Sequence, residues 1–102
     1  MNYPTVPEGF EWVGVDLDRT IARSIWPEVG IGEPIPEGVE AARHYHSEGY
    51  RIIIYTSRSW FDHGRIQAWL EHHGVKFDQI VCGKVAVGLL IDDRAWHPPW
   101  VE

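Results

Sequence analysis

Apolar positions in this chain follow two rhythms. Residues 10–15, 51–56, 79–82 and 87–91 are short apolar runs rich in β-branched or aromatic side chains, bounded by glycine, proline or charged residues, and they read as strands. Residues 36–48 carry a different period. Pro36 and Glu37 suit a first helical turn, Val39, Ala42, Tyr45 and His46 share one face, and Gly49 stops the helix. Residues 62–73 repeat that signal through Ile66, Trp69, Leu70 and His73, with Gly74 placed to end it. The segments between are punctuated by breakers. Pro4, Pro7 and Gly9 give an irregular lead-in, Pro27, Gly30, Gly32 and Pro34 make residues 19–35 a loop or small hairpin, and Pro98 and Pro99 leave residues 94–102 as an irregular tail.

Strand, helix and strand in that order imply a parallel pair joined by a right-handed crossover. The alternation predicts an α/β fold, a three-layer sandwich around a small, mainly parallel, Rossmann-like sheet. The run Arg51-Ile52-Ile53-Ile54-Tyr55-Thr56 predicts a strand buried on both faces. With 102 residues there is length for one core and none for a second lobe, so residues 1–102 are expected to form one domain.

Charge narrows the partners. Nine basic against fifteen acidic side chains give a net charge of −6, which argues against tight nonspecific nucleic-acid binding but not against a phosphorylated ligand. The lone Cys82, inside an apolar run, is expected to be a buried thiol in a reduced, cytoplasmic protein. No targeting pattern or membrane-length apolar run is expected. The six tryptophans are too dispersed for one stripe; most are expected to pack, and exposed ones to mark a contact surface.

Candidate chemistry gathers at strand ends. The first run ends in Asp16-Leu17-Asp18-Arg19-Thr20, two carboxylates one residue apart. Taken alone, this can be turn chemistry. Two close carboxylates nevertheless repel unless a cation or proton lies between them, and a hard divalent cation, magnesium, suits the spacing. The second run ends at Thr56, Ser57 and Arg58, and the fourth at Asp92 and Asp93. Parallel strands bring their carboxyl ends to one edge, where open sheets bind ligands, so groups about forty residues apart can meet there.

In these positions the chain resembles the haloacid dehalogenase superfamily of phosphohydrolases, whose four motifs match as Asp16-Leu17-Asp18-Arg19-Thr20, Thr56, Lys84 and Asp92-Asp93. The resemblance implies a magnesium-dependent phosphomonoester hydrolase. Asp16 would be the nucleophile that becomes an aspartyl phosphate, and Asp18 the acid for the leaving alkoxide and the base for water. Thr56, Ser57, Arg58 and Lys84 would hold phosphoryl oxygens, and Asp16, Asp18, Asp92 and Asp93 the metal ion. Thr20 is read as a buttress of the turn.

Two departures stand out. Many superfamily members carry glycine where this chain has Arg19. Seven residues separate Lys84 from Asp92, enough extended chain for roughly 25 Å but short of the dozen a parallel crossover normally takes. Thr56-Ser57-Arg58 and Asp92-Asp93-Arg94 also resemble segments of the phosphatase domain of phage polynucleotide kinase-phosphatases, in which arginine helps hold the phosphate. The duller reading of Arg94 is an ion pair with nearby acids.

Members of the resembled superfamily often cover the site with a cap inserted after the first or third strand; the short segments at those points here imply no cap domain, and the site is expected to be open. It would accept a phosphorylated small molecule or a nucleic-acid end, such as a nucleotide, a polynucleotide terminus or a sugar phosphate, or be covered by a second copy in a homo-oligomer. The rivals are a phosphate-accepting signalling receiver domain and a non-catalytic binding module on the same fold. Receivers place the adjacent acid pair after the first strand, whereas here it comes last.

Overall fold

In a computed structural model, which describes residues 2–25 and 30–102, three parallel strands pair in the order β1-β2-β3. They are β1 (Trp12–Val15), β2 (Arg51–Tyr55) and β3 (Gln79–Val81). Helix α1 (Pro36–Ser47) connects the first two, and a 3₁₀ turn at Trp60–Asp62 running into α2 (His63–His72) connects the last two. The expected α/β class and Rossmann-like parallel sheet are therefore present.

Register decides which side chains meet the helices. Val13 pairs with Ile52 and Val15 with Ile54, while Ile54 also pairs with Ile80. These positions share one face, and Ile52 and Ile54 are fully buried in the same cluster as Leu17, Ala42, Tyr45, Ile66 and Leu70. Trp12, Gly14, Arg51 and Tyr55 alternate onto the opposite face and are exposed. The expectation that β2 is buried on both faces is thus half met: a sheet advancing in one direction by right-handed crossovers sets both helices on the same side. Among the described residues the second face carries no helix. It is dressed instead by cations over aromatic rings, Arg51 over Trp12 at 5.3 Å and Lys84 over Tyr55 at 5.1 Å.

Helix boundaries follow the local chemistry. Pro36 opens α1 where a missing N–H costs nothing. Gly49 at φ +94 and Gly74 at φ +66 take the left-handed conformation just after α1 and α2. His46, read onto the apolar face of α1, is exposed, whereas Ala41 is buried beside Ala42 and Tyr45. Residues 19–35 fold partly as a narrow hairpin: Arg23 N donates to Glu33 O at 2.7 Å and Ile35 N to Ile21 O at 2.7 Å. Trp26 and Pro27, assigned to the same loop, lie outside the described residues.

The strand expected at residues 87–91 is not formed. Leu89 is 78% and Ile91 91% exposed, and the segment has no ladder partner among the described residues. The reason is connection length. Lys84 is tied to the end of β2 by Lys84 N donating to Thr56 O at 3.0 Å, and the few residues beyond it cannot provide the helical crossover that would return the chain to a parallel slot. Among the described residues the outer side of β1 stays an edge.

Candidate active site at the carboxyl edge of the sheet

The stretch after β1 is wound tightly around one carbonyl. Leu17 O accepts from the amides of Thr20, Ile21 and Ala22 at 3.3, 2.9 and 3.0 Å, and Arg19 N donates to Ala22 O at 2.6 Å. To close this turn Arg19 adopts φ +67. That is the left-handed region, cheap for glycine and costly for a side chain, which explains the glycine common at this point of the resembled motif. Val15, Leu17 and Ile21 are buried beneath the turn, whereas Asp16 and Asp18, on either side of Leu17, are partly exposed.

Asp16 is gripped from both sides. Its Oδ2 accepts from Thr20 Oγ1 at 3.1 Å and its Oδ1 from Lys84 Nζ at 3.1 Å, and the Asp16 side chain remains 39% exposed. Thr20 therefore buttresses the carboxylate itself as well as the turn. Lys84 reaches the pocket by a short route: Gly83 N donates to Arg58 O at 2.9 Å and Lys84 N to Thr56 O, zipping the loop after β3 onto the loop after β2.

Asp18 meets Arg58 in a two-pronged pair. Arg58 Nε lies 2.8 Å from Oδ2 and Nη2 2.8 Å from Oδ1, and Nη2 also donates to Gly30 O at 2.7 Å. Such a fork matches the guanidinium plane to the carboxylate, with the Arg58 side chain only 9% exposed. Thr56, buried, accepts from Arg58 N through Oγ1 at 3.1 Å and fixes the start of the loop. Ser57 is exposed beside it. Sequence reasoning selected Arg58 as a phosphate ligand but missed its fork to Asp18, since partner choice over forty positions leaves no periodic signature.

Asp92 and Asp93 do not join this group. Asp92 Oδ1 accepts from Arg94 N at 2.6 Å, a local turn, and Asp93 Oδ2 lies 3.9 Å from Arg94 Nη1. The Arg94 guanidinium sits over Phe10, 5.2 Å from the ring centroid. Phe10 precedes β1 whereas Asp16 follows it, so the pair is held toward the opposite edge of the sheet. With no strand at residues 87–91, nothing carries these acids to the carboxyl edge. Magnesium takes near-octahedral oxygen ligation from one or two carboxylates, water and substrate. Among the described residues no group of three His, Cys, Asp or Glu side chains gathers as a metal centre, and the expected set of Asp16, Asp18, Asp92 and Asp93 does not fit one ion as placed.

The tail supports the site from behind, which nothing in the sequence announced. Glu102 N donates to Arg19 O at 3.0 Å, Trp100 Nε1 to Thr20 O at 3.1 Å, and Glu102 Oε2 pairs with Arg23 Nη1 at 2.6 Å.

Fold and site together define an α/β protein with a Rossmann-like parallel sheet and a cluster of paired acids and bases at its carboxyl edge. The chain belongs to the family of a target protein from Vibrio cholerae known from a crystal structure, with which it shares 30% identity and a TM-score of 0.73 over 87% of this chain and 85% of that one. A conserved protein from Bacteroides thetaiotaomicron is also similar, at 27% identity and a TM-score of 0.62 over 90% and 84% of the two chains. Membrane-associated phosphatidylinositol transfer protein 3 of mouse and of human are each 32% identical over 74 residues, 72% of this chain and 8% of theirs. The chain thus spans less than a tenth of the length of the curated relatives it matches. No family model matches it. Among the described residues, no helix is long and apolar enough to cross a membrane.

Proposed function

We propose that this chain is a phosphomonoester hydrolase of the haloacid dehalogenase type, acting through an aspartyl phosphate on a nucleotide, a polynucleotide end or a sugar phosphate. The observation that carries the reading is Asp16, held open to solvent at the carboxyl edge with Lys84 Nζ and Thr20 Oγ1 each 3.1 Å away. A carboxylate fixed in this way has one nucleophilic oxygen steered by an ammonium that also lessens its repulsion of an arriving phosphate.

The Asp18–Arg58 fork supplies the next step. Both Asp18 oxygens accept from Arg58, so acid–base work requires the fork to open. An incoming phosphate offers two of its oxygens to the guanidinium fork and competes for Arg58. Asp18, released, takes the proton carried by the phosphate monoanion and passes it to the leaving alkoxide as Asp16 Oδ forms its bond to phosphorus and the phosphorus–alkoxide bond breaks. In the second half Asp18 takes a proton from water, which attacks phosphorus, and inorganic phosphate and free Asp16 result. A second reading, a phosphate-binding module without turnover, is favoured by the same fork if it stays closed over the ligand.

The test is hydrolysis of a generic aryl phosphate. Turnover is expected in the wild type and a loss of at least about a thousandfold in Asp16→Asn, as for removal of a nucleophile. Retained turnover in that variant ends the mechanism, and phosphate binding without turnover in the wild type leaves the module. The same assay with and without magnesium checks the cofactor expectation separately.

A further inference from the structure

Immediately beyond the two cations that face Asp16 and Asp18, the chain presents flat aromatic surface to solvent. Trp60 is 57% and Phe61 101% exposed, two and three positions after Arg58. Large aromatic side chains left open beside a polar cluster mark a contact site. The backbone beneath them is fixed, and Trp60 has a ring neighbour. Ser59 Oγ accepts from Phe61 N at 3.2 Å and caps the 3₁₀ turn, and the Trp60 indole lies nearly parallel to the His63 ring, 12° apart in plane at 5.9 Å between centroids.

The platform is joined to the phosphate-facing groups through Gly83. The Trp60 indole lies against Gly83, where a Cβ would sit 3.4 Å from Trp60 Nε1 in ordinary contact, and the φ of +81 at Gly83 favours glycine in the backbone that delivers Lys84. Gly83 N is bound to Arg58 O, and the next residue, Lys84, reaches Asp16. An open aromatic face and a pair of phosphate-seeking cations are thus held on one short, hydrogen-bonded unit.

Resting on the phosphohydrolase reading, we propose that the substrate is a nucleoside phosphate or a nucleic-acid end whose base stacks on Trp60, with Phe61 at the rim, while its phosphate lies between Arg58 and Lys84. Base–aromatic stacking is insensitive to base identity, because every base has a π face. The expected specificity is therefore for a base attached to the phosphate, without strong choice among bases. The net charge of −6 fits a small or terminal ligand held at one point better than a long polyanion or an anionic bilayer.

The experiment compares calorimetric binding of a nucleoside monophosphate and of ribose 5-phosphate to the wild type, Trp60→Ala and Trp60→Phe. The nucleotide is expected to bind wild type at least about tenfold more tightly, in line with one stacked base. Trp60→Ala should remove that advantage while leaving ribose 5-phosphate affinity unchanged, and Trp60→Phe should keep most of it. Equal affinities in wild type, or no loss in Trp60→Ala, overturns the inference while the hydrolase reading stands on its own assay. Failure of both ligands to bind also overturns the inference, and aryl phosphate turnover then decides the hydrolase reading by itself. If Trp60→Ala instead weakens binding to vesicles of phosphatidylcholine with phosphatidylinositol, and nucleotide shows no advantage, the aromatic surface serves a lipid headgroup and the inference is likewise overturned.

Discussion

At Gly38 the structure allows no side chain. A Cβ built there would lie 2.1 Å from Thr20 O, because the first turn of α1 packs directly on the turn that carries Asp16 and Asp18. Gly38→Ala is expected to cost about 1–3 kcal/mol, the usual scale for forcing a methyl into filled space, read as a lowered midpoint in urea. It should also lower turnover, since the turn must yield. Residue identities at the carboxyl edge were partly legible: strand ends pointed to Asp16 and Thr56, the resemblance alone to Lys84, and Lys84 Nζ reaches Asp16 while Lys84 N donates to Thr56 O. The companions of those residues were not. Arg58 forks to Asp18 and Trp100 reaches Thr20 O across eighty positions, and such pairings depend on side-chain geometry that no short-range pattern encodes.

Among the elements, α1 shows where periodicity succeeds and what it leaves out. Its span was legible from Pro36 and Gly49, and its buried face from Ala42 and Tyr45. The Tyr45 hydroxyl donates to Pro4 O at 2.6 Å, pinning the lead-in to the helix, and Tyr3 stacks on His44 with ring centroids 4.3 Å apart. Burial, with Tyr3 and Tyr50 nearby, raises the Tyr45 phenol above its ordinary 10.0. Burial and Glu40 likewise raise Tyr3. A phenol harder to ionise in the folded chain adds stability that is complete below pH 10.0 and is lost as pH climbs through the raised folded value. Thermal melts should therefore show Tm falling above pH 10, and Tyr45→Phe should flatten that fall while costing about 1 kcal/mol at neutral pH for the lost hydrogen bond. The expected strand at residues 87–91 failed for a reason also visible in the sequence. Composition favoured it, but a connection of seven residues from Lys84 to Asp92 opposed it, and connection geometry prevailed.

Over the whole molecule, one face of the sheet is sealed by two helices and the other is left to Trp12, Gly14, Arg51 and Tyr55. The exposed run from Val85 to Ile91 belongs to the same imbalance. Because Leu89 and Ile91 are 78% and 91% exposed, replacing either with lysine should change unfolding free energy by no more than about 0.5 kcal/mol, measured by urea titration. A loss of several kcal/mol would mean that this run is packed in solution and that a fourth strand exists after all. The Rossmann-like class was legible because strand and helix periods alternate along the chain and a glycine ends each helix; the one-sided burial was not, because it follows from the direction in which successive crossovers step.

The bare flank of β1 has a practical side. Among the described residues its outward amides and carbonyls have no ladder partner, and a run of six apolar or small residues, 86–91, is exposed in the same molecule. Two molecules crowded together can satisfy each other's needs, one lending the run and the other the flank, and the arrangement can propagate. Sample handling at high concentration is where this protein should first turn cloudy, and a lysine at position 89 doubles as the remedy.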